Sequence, residues 1–171
     1  MLDFAPLRLC PFALVLSSGC AQPPDDELVL AANRVEALRS VDAATFAPEP
    51  LGHAELALAT ARSLTEDGSY LPAIHAAAET VMHADDAFDL STSERSIAER
   101  HFERCLHELE GLMAIAGHRG ADAEAPSELE AFAERYRSVK STADGGDLLA
   151  ALEQARQLKP ELLAFEQRFR E

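Results

Sequence analysis

Apolar residues recur at alternating spacings of three and four along most of this chain, and this pattern constrains the fold more than any other feature. Leu28, Ala31, Val35 and Leu38 show it first. This period places apolar side chains on one face of an α-helix. Ala, Leu, Glu and Arg dominate the composition and Trp is absent, a usage that favours helix because straight side chains lose little rotamer freedom there. The sequence therefore predicts an all-α fold.

Gly and Pro residues divide the periodic segments and predict where the helices begin and end. We expect helices over 26–41, from Pro48 or Pro50 to Thr65, and over 69–88. Asp67 and Gly68 form the turn between the second and third helices. Connections this short make neighbouring helices antiparallel.

The second half of the chain is predicted to contain a longer fourth helix, a fifth and a sixth. Ser91 and Glu94 have capping-box spacing and predict the start of a long fourth helix, and Ser127 with Glu130 predicts the start of a fifth. A sixth helix follows Gly145 and Gly146, and Pro160 is expected to break or kink it. These helices predict antiparallel hairpins that form an irregular bundle.

A degenerate internal repeat suggests a second architecture. Ala61-Arg62-Ser63-Leu64 precedes the Asp67-Gly68 turn, and Tyr136-Arg137-Ser138-Val139 similarly precedes Asp144-Gly145-Gly146. Each copy continues into a helix of small residues. Because only two copies occur, whereas solenoids need three or more units, we favour the irregular bundle and retain a helical-repeat arrangement as the alternative.

The N-terminus has the features of an export signal. An apolar run over 9–16 follows Arg8 and precedes Ser17-Ser18-Gly19-Cys20. This run is too short to span a bilayer but suits a signal peptide, and the segment resembles a bacterial lipoprotein lipobox, although Ser17 stands where Leu is usual. We expect a signal peptide over 1–19, lipidation of Cys20 and a tether over 20–26. A single helical domain follows over 27–171, with hairpins over 27–90 and a long helix plus hairpin over 91–171.

The lipobox resemblance implies one cellular location and leaves other locations open. Ala21 directly after the cysteine resembles the sorting signal of outer-membrane lipoproteins, which implies a protein facing the periplasm and held in the lipid bilayer by acylated Cys20. The alternatives are an ordinary cleaved signal with a soluble periplasmic product, an uncleaved anchor, and a cytosolic protein with a misread start. After cleavage and lipidation Cys105 alone remains a free thiol, so no intramolecular disulfide can form.

The charge of the chain excludes one class of partner. The formal net charge is −15. An acidic surface repels phosphate backbones and anionic lipid headgroups, so we expect no nucleic-acid partner.

The segment over 46–86, FAPEPLGHAELALATARSLTEDGSYLPAIHAAAETVMHADD, carries a second resemblance. Phe46-Ala47-Pro48 and the turn Gly68-Ser69-Tyr70 resemble paired motifs in the uncharacterised Ala-rich hairpin domain of bacterial envelope lipoproteins. The resemblance covers about a quarter of the chain and carries no catalytic residues. It implies an envelope lipoprotein whose helices serve as a scaffold.

Two side-chain clusters could carry chemistry. His101, Cys105 and Glu108 lie on one helical face and could share a Zn²⁺ or Cu ion. Cys105 also lies in the apolar seam beside Phe102 and Leu109, where a lone cysteine is usually a small buried hydrophobe. We favour that reading and assign no metal site.

The second cluster, His83 with Asp86 near His75, lacks a Ser or Cys nucleophile beside it. The sequence also contains no haem-attachment motif, Gly-rich phosphate loop or His-Glu-x-x-His helix. We therefore expect no cofactor and no enzyme. The leading hypothesis is a lipid-anchored envelope scaffold that binds a protein partner. The alternative is a periplasmic bundle that binds a metal or small ligand through His and Cys side chains.

Overall fold

The computed structural model describes residues 22–169, and this part of the chain is helical without a strand. The all-α prediction is confirmed. Residues 1–21, including the apolar run and Cys20, lie outside the described residues. The helices are Asp25–Ala37 (α1), Ala43–Phe46 (α2), Pro48–Glu66 (α3), Tyr70–His118 (α4), Ala121–Glu124 (α5), Pro126–Asp144 (α6) and Leu148–Gln167 (α7), with a 3₁₀ turn at Leu38–Val41.

These elements form two similar three-helix units joined by the long helix α4. In the N-terminal unit, α1 and α3 pack against the first half of α4, up to Ser91. In the C-terminal unit, α6 and α7 pack with the second half of α4, from Thr92 onward. The short helix α2 recurs 78 positions later as α5. The 19-residue helix α3 recurs at the same interval as α6. The fold is therefore a tandem pair in which one helix is shared.

Backbone conformations repeat at the same interval. Asp42 and Gly120 precede the short helices with φ of 54° and 100°. Ala47 and Ala125 precede the 19-residue helices with nearly equal angles, φ −144° and ψ 54° against φ −141° and ψ 52°. Gly68 and Gly146 form the turns, with φ of 75° and 96°, in the region that favours glycine.

The structure shifts the register of the sequence repeat. The sequence motif pairs Ala61 with Tyr136, whereas the 78-residue interval pairs it with Val139. Ala61 and Val139 are both buried against α4 or α7, with exposures of 0% and 3%. The sequence motif reflects similarity between short stretches of residues. The packing depends instead on which face of each helix is buried.

The cores of the two units contain side chains of different size. Nearly every buried apolar residue of the N-terminal unit is Ala. The C-terminal core uses large residues at matching positions, for example Phe165 where the first unit has Ala87 and Leu162 where it has Ala84. Small side chains allow close helix packing. They also bury less apolar area per residue than large side chains do.

The predicted break before Ser91 is wrong, because α4 is continuous from Tyr70 to His118. Ser91 is fully buried in the middle of this helix, and its hydroxyl donates a 2.6 Å hydrogen bond to the carbonyl of Ala87. No Gly or Pro lies between Phe88 and Ser91 to interrupt the helix. The hydroxyl of Ser91 therefore bonds the carbonyl four residues earlier in the same helix and does not cap a helix N-terminus.

One further prediction of a helix start is wrong, and the predicted break at Pro160 does not occur. Helix α6 begins at Pro126 with Ala125 before it and no side-chain cap, so Ser127 lies inside the helix. Pro126 lacks an amide hydrogen at a position where none is needed. Helix α7 continues through Pro160 to Gln167, so Pro160 does not end the helix. Asp147 caps α7 by accepting a 3.0 Å bond from the Ala150 amide.

Candidate interaction groove

An apolar groove opens where the two units meet beside the middle of α4. Its wall includes Phe46 from α2, Leu90 and Ile97 from α4, and Leu149 from α7, and its volume is ≈ 450 Å³. We call it the junction groove. The junction groove forms because both units pack on helix α4, with α2 on one side of the groove and the first turn of α7 on the other.

The groove leaves large apolar side chains in contact with solvent. Leu90, Ile97 and Leu149 are 40%, 36% and 43% exposed. Leu90 and Ile97 are seven residues apart and so lie on one face of α4. Contiguous exposed apolar surface rimmed by polar groups marks interaction sites more often than isolated exposed leucines do. The junction groove is therefore the candidate functional site.

Charged and polar side chains form the rim of the junction groove. Glu94 lies between Leu90 and Ile97 on α4, and His101 and Arg156 also contribute to the wall. An apolar centre with a charged rim is the usual anatomy of a protein-binding patch.

Acidic charge is concentrated in the N-terminal unit. Residues 22–91 contain 13 acidic and three basic side chains, a net charge of −10, whereas residues 92–169 contain 15 and ten, a net charge of −5. A partner approaching from the N-terminal side of the groove therefore meets a negative potential.

Ion pairs between helices are concentrated in the C-terminal unit. Arg135 binds both carboxylate oxygens of Glu161 at 2.6 and 2.9 Å. Similar pairs join α6 to the end of α7 and α4 to α7: Arg168 with Glu128, Lys159 with Glu108, and Arg119 with the buried Glu166. Within residues 22–91 the ion pair between helices is Arg34 with Asp85, at 3.7 Å.

The candidate metal residues are used in other ways. The Glu108 carboxylate accepts a 2.7 Å hydrogen bond from Lys159, which lowers the pKa of Glu108. Cys105 is half-buried against the C-terminal core, and His101 is exposed at the junction groove. Across residues 22–169, no three His, Cys, Asp or Glu side chains converge on a possible metal position. The proposed His101, Cys105 and Glu108 set is therefore not assembled as a three-ligand centre.

A histidine pair is the arrangement that sequence reasoning missed. The rings of His53 on α3 and His83 on α4 lie 5.4 Å apart between centroids. The sequence carries the signal, because His53 and His83 each lie 15 positions from Gly68 at the turn. Residues equidistant from the turn of an antiparallel hairpin meet across it. His75, which the sequence grouped with His83, is exposed.

Tyr136 on α6 has the largest change in pKa. Burial of its ring and its hydrogen bond to Glu110 on α4 raise the pKa of the phenol to about 12. The phenol donates to a carboxylate, so its loss of a proton would place two negative charges side by side. This group stays neutral at physiological pH and serves as a link between helices.

No family model, curated protein or solved structure matches the chain. No helix within residues 22–169 is long and apolar enough to cross a bilayer.

Proposed function

We propose that this chain is a lipid-anchored scaffold of the bacterial cell envelope that binds a protein partner through the junction groove, without catalysis. The observation that carries the proposal is the set of exposed apolar side chains Leu90, Ile97 and Leu149 around one groove. The lipobox-like segment ending at Cys20 supports the envelope address.

The partner we propose is a basic protein segment that inserts one or two apolar side chains. The groove volume of ≈ 450 Å³ is small for a folded element but sufficient for side chains of this kind. Negative charge on the N-terminal unit favours a positively charged approach, which speeds encounter more than it adds affinity. The apolar anchor then supplies most of the binding free energy.

Photo-crosslinking in the native envelope tests the groove. A photoreactive residue at Ile97 should give one adduct with another protein, and Leu149→Lys should abolish it, because burying an unpaired charge is unfavourable. Leu56 on α3 is 68% exposed and serves as the control position.

Three results would contradict the groove proposal. Equal adducts from Ile97 and Leu56 would show unspecific capture, and an adduct of twice the chain's mass would show that a second copy occupies the groove. Retention of the adduct in the folded Leu149→Lys variant would place the contact elsewhere.

Intact-mass analysis and fractionation test the anchor. The mature protein should begin at acylated Cys20 and partition with detergent, since each buried methylene of an acyl chain contributes about 0.8 kcal/mol. Cys20→Ala should release or mislocalise it. Recovery of soluble protein that retains residues 1–19 would contradict the proposed location in the envelope. It would leave the proposal for the junction groove untouched.

A further inference from the structure

His53 and His83 connect the two helices of the N-terminal hairpin through their imidazoles. His53 is exposed and His83 is half-buried. Their ring centroids are 5.4 Å apart and their planes are inclined by 59°. The rings are therefore neighbours at the surface, where an ion and water can reach both of them.

This separation matches two ligands of one metal ion. Zn–N bonds to histidine are about 2.0–2.1 Å long, which puts each ring centroid about 3.2 Å from the ion. A tetrahedral angle at the ion then separates the two centroids by about 5.2 Å. The observed separation of 5.4 Å lies within a few tenths of an ångström of this value.

The surrounding charge favours a cation at this place. The segment over 22–91 has a net charge of −10, and Glu49 and Glu79 each lie one helical turn before one of the two histidines. These carboxylates add negative potential, although no three such side chains converge on a metal position within residues 22–169. Imidazole nitrogens select transition metals over Mg²⁺ and Ca²⁺, which prefer oxygen ligands.

We propose that His53 and His83 form a two-histidine site that binds one divalent transition-metal ion and joins α3 to α4. Water completes the coordination shell. The equivalent positions of the C-terminal unit are Ala131 and Glu161, so the site belongs to the N-terminal unit alone. This inference stands on the histidine pair and is independent of the groove and the anchor.

Thermal melting and calorimetry with Zn²⁺ test the site on the full chain, with every free cysteine alkylated so that thiols cannot bind the ion. We expect one Zn²⁺ per chain near neutral pH. At a Zn²⁺ concentration 100 times the dissociation constant, Tm should rise by roughly 5–10 °C, because the ion binds only the folded state.

Matched variants decide whether the pair is responsible. His53→Gln and His83→Gln should each remove most of the Tm shift, whereas His75→Gln, an exposed histidine on the same helix α4, should leave it unchanged. Mg²⁺ should give no comparable shift. Undiminished Zn²⁺ binding in the first two variants, an equal loss in the His75 variant, or an equal shift with Mg²⁺ would overturn the proposal.

Discussion

Cys105 and Leu109 lie one turn apart on α4 but differ in burial. Leu109 is completely buried in the C-terminal core, whereas Cys105 is half-buried at its edge. Lys159 lies close enough to interact electrostatically with Cys105 while it bonds Glu108. Cys105 thus packs against the core, and its immediate neighbours are engaged in an ion pair.

We predict that Cys105→Ala lowers the free energy of unfolding by about 1 kcal/mol and Leu109→Ala by about 2–5 kcal/mol, because the larger group leaves a larger cavity. Urea unfolding followed by circular dichroism measures both. Equal losses in the two variants would contradict the difference in burial, and loss of bound metal from Cys105→Ala would point to a ligand role.

The Tyr136 phenol makes stability depend on alkaline pH. Its pKa is about 12 in the fold against an ordinary value of 10.0. A group whose pKa is raised by folding stabilises the fold fully below its unfolded pKa, and the contribution is lost as pH rises through the folded pKa. The sensitive window therefore runs from pH 10 to about 12.

We predict that Tyr136→Phe reduces the loss of stability across this window, since the variant has no proton to release there. Unfolding measured at several alkaline pH values tests this, and phenolate absorbance should lose its step near pH 12. Tyr70→Phe is the matched control. An alkaline loss of stability that is the same in Tyr136→Phe and the original chain would assign the effect to other groups.

At the scale of elements, two prolines illustrate how position decides the effect of a residue. Pro126 is the first residue of α6, whereas Pro160 lies inside α7 and is exposed. A proline in a helix interior removes a hydrogen bond to the residue four positions back and crowds that carbonyl. At the first helical position the missing amide has no partner to lose.

We predict that Pro160→Ala raises the free energy of unfolding by about 1–3 kcal/mol, and that Pro126→Ala changes it by less than about 0.5 kcal/mol. The substituted side chain at 160 disturbs no core contact because the site is exposed. Urea unfolding of both variants is the measurement. A destabilised Pro160→Ala would mean that the proline sets a bend needed for packing.

Elements were predictable from the sequence where local chemistry decides them. Pro48 and Gly68 mark the start of α3 and the turn after it because their backbone preferences act within a few residues. Ser91 misled the prediction, since the same hydroxyl can cap a helix or bond the carbonyl of Ala87 within one. Which it does depends on the tertiary packing that buries Ser91, and periodicity does not encode that packing.

The candidate sites follow the same distinction. The histidine pair was within reach of the sequence, because counting outward from Gly68 brings His53 opposite His83. The junction groove was not, since Phe46 and Leu149 lie 103 positions apart and meet α4 only through the arrangement of two units. The number of residues from a turn predicts contacts within one helical hairpin. It does not predict contacts between the two units.

At the scale of the whole molecule, the two units are held together by different means. The N-terminal unit packs mostly Ala side chains and has one ion pair between helices within residues 22–91, Arg34 with Asp85. The C-terminal unit buries Phe102, Leu109 and Phe165 and has four ion pairs between helices. The shared helix α4 spans both environments.

We predict that amide hydrogens of α1 and α3 exchange faster than those of α6 and α7. Local opening is easier where less apolar area is buried and fewer side chains bridge the helices. The N-terminal unit also has the larger net charge, −10 against −5 for residues 92–169, and self-repulsion adds to its opening. Hydrogen exchange read by mass spectrometry on peptides from each helix measures the difference.

The exchange experiment has an internal control in α4, since its two halves belong to one helix. Amides in the half of α4 before Ser91 should exchange at rates similar to those of α3. Amides in the half after Ser91 should be as protected as those of α7. Added salt should slow exchange in α1 and α3 more than in α6 and α7, because it screens repulsion in the more charged unit. Uniform protection along α4 would show instead that the shared helix makes the two units open as one.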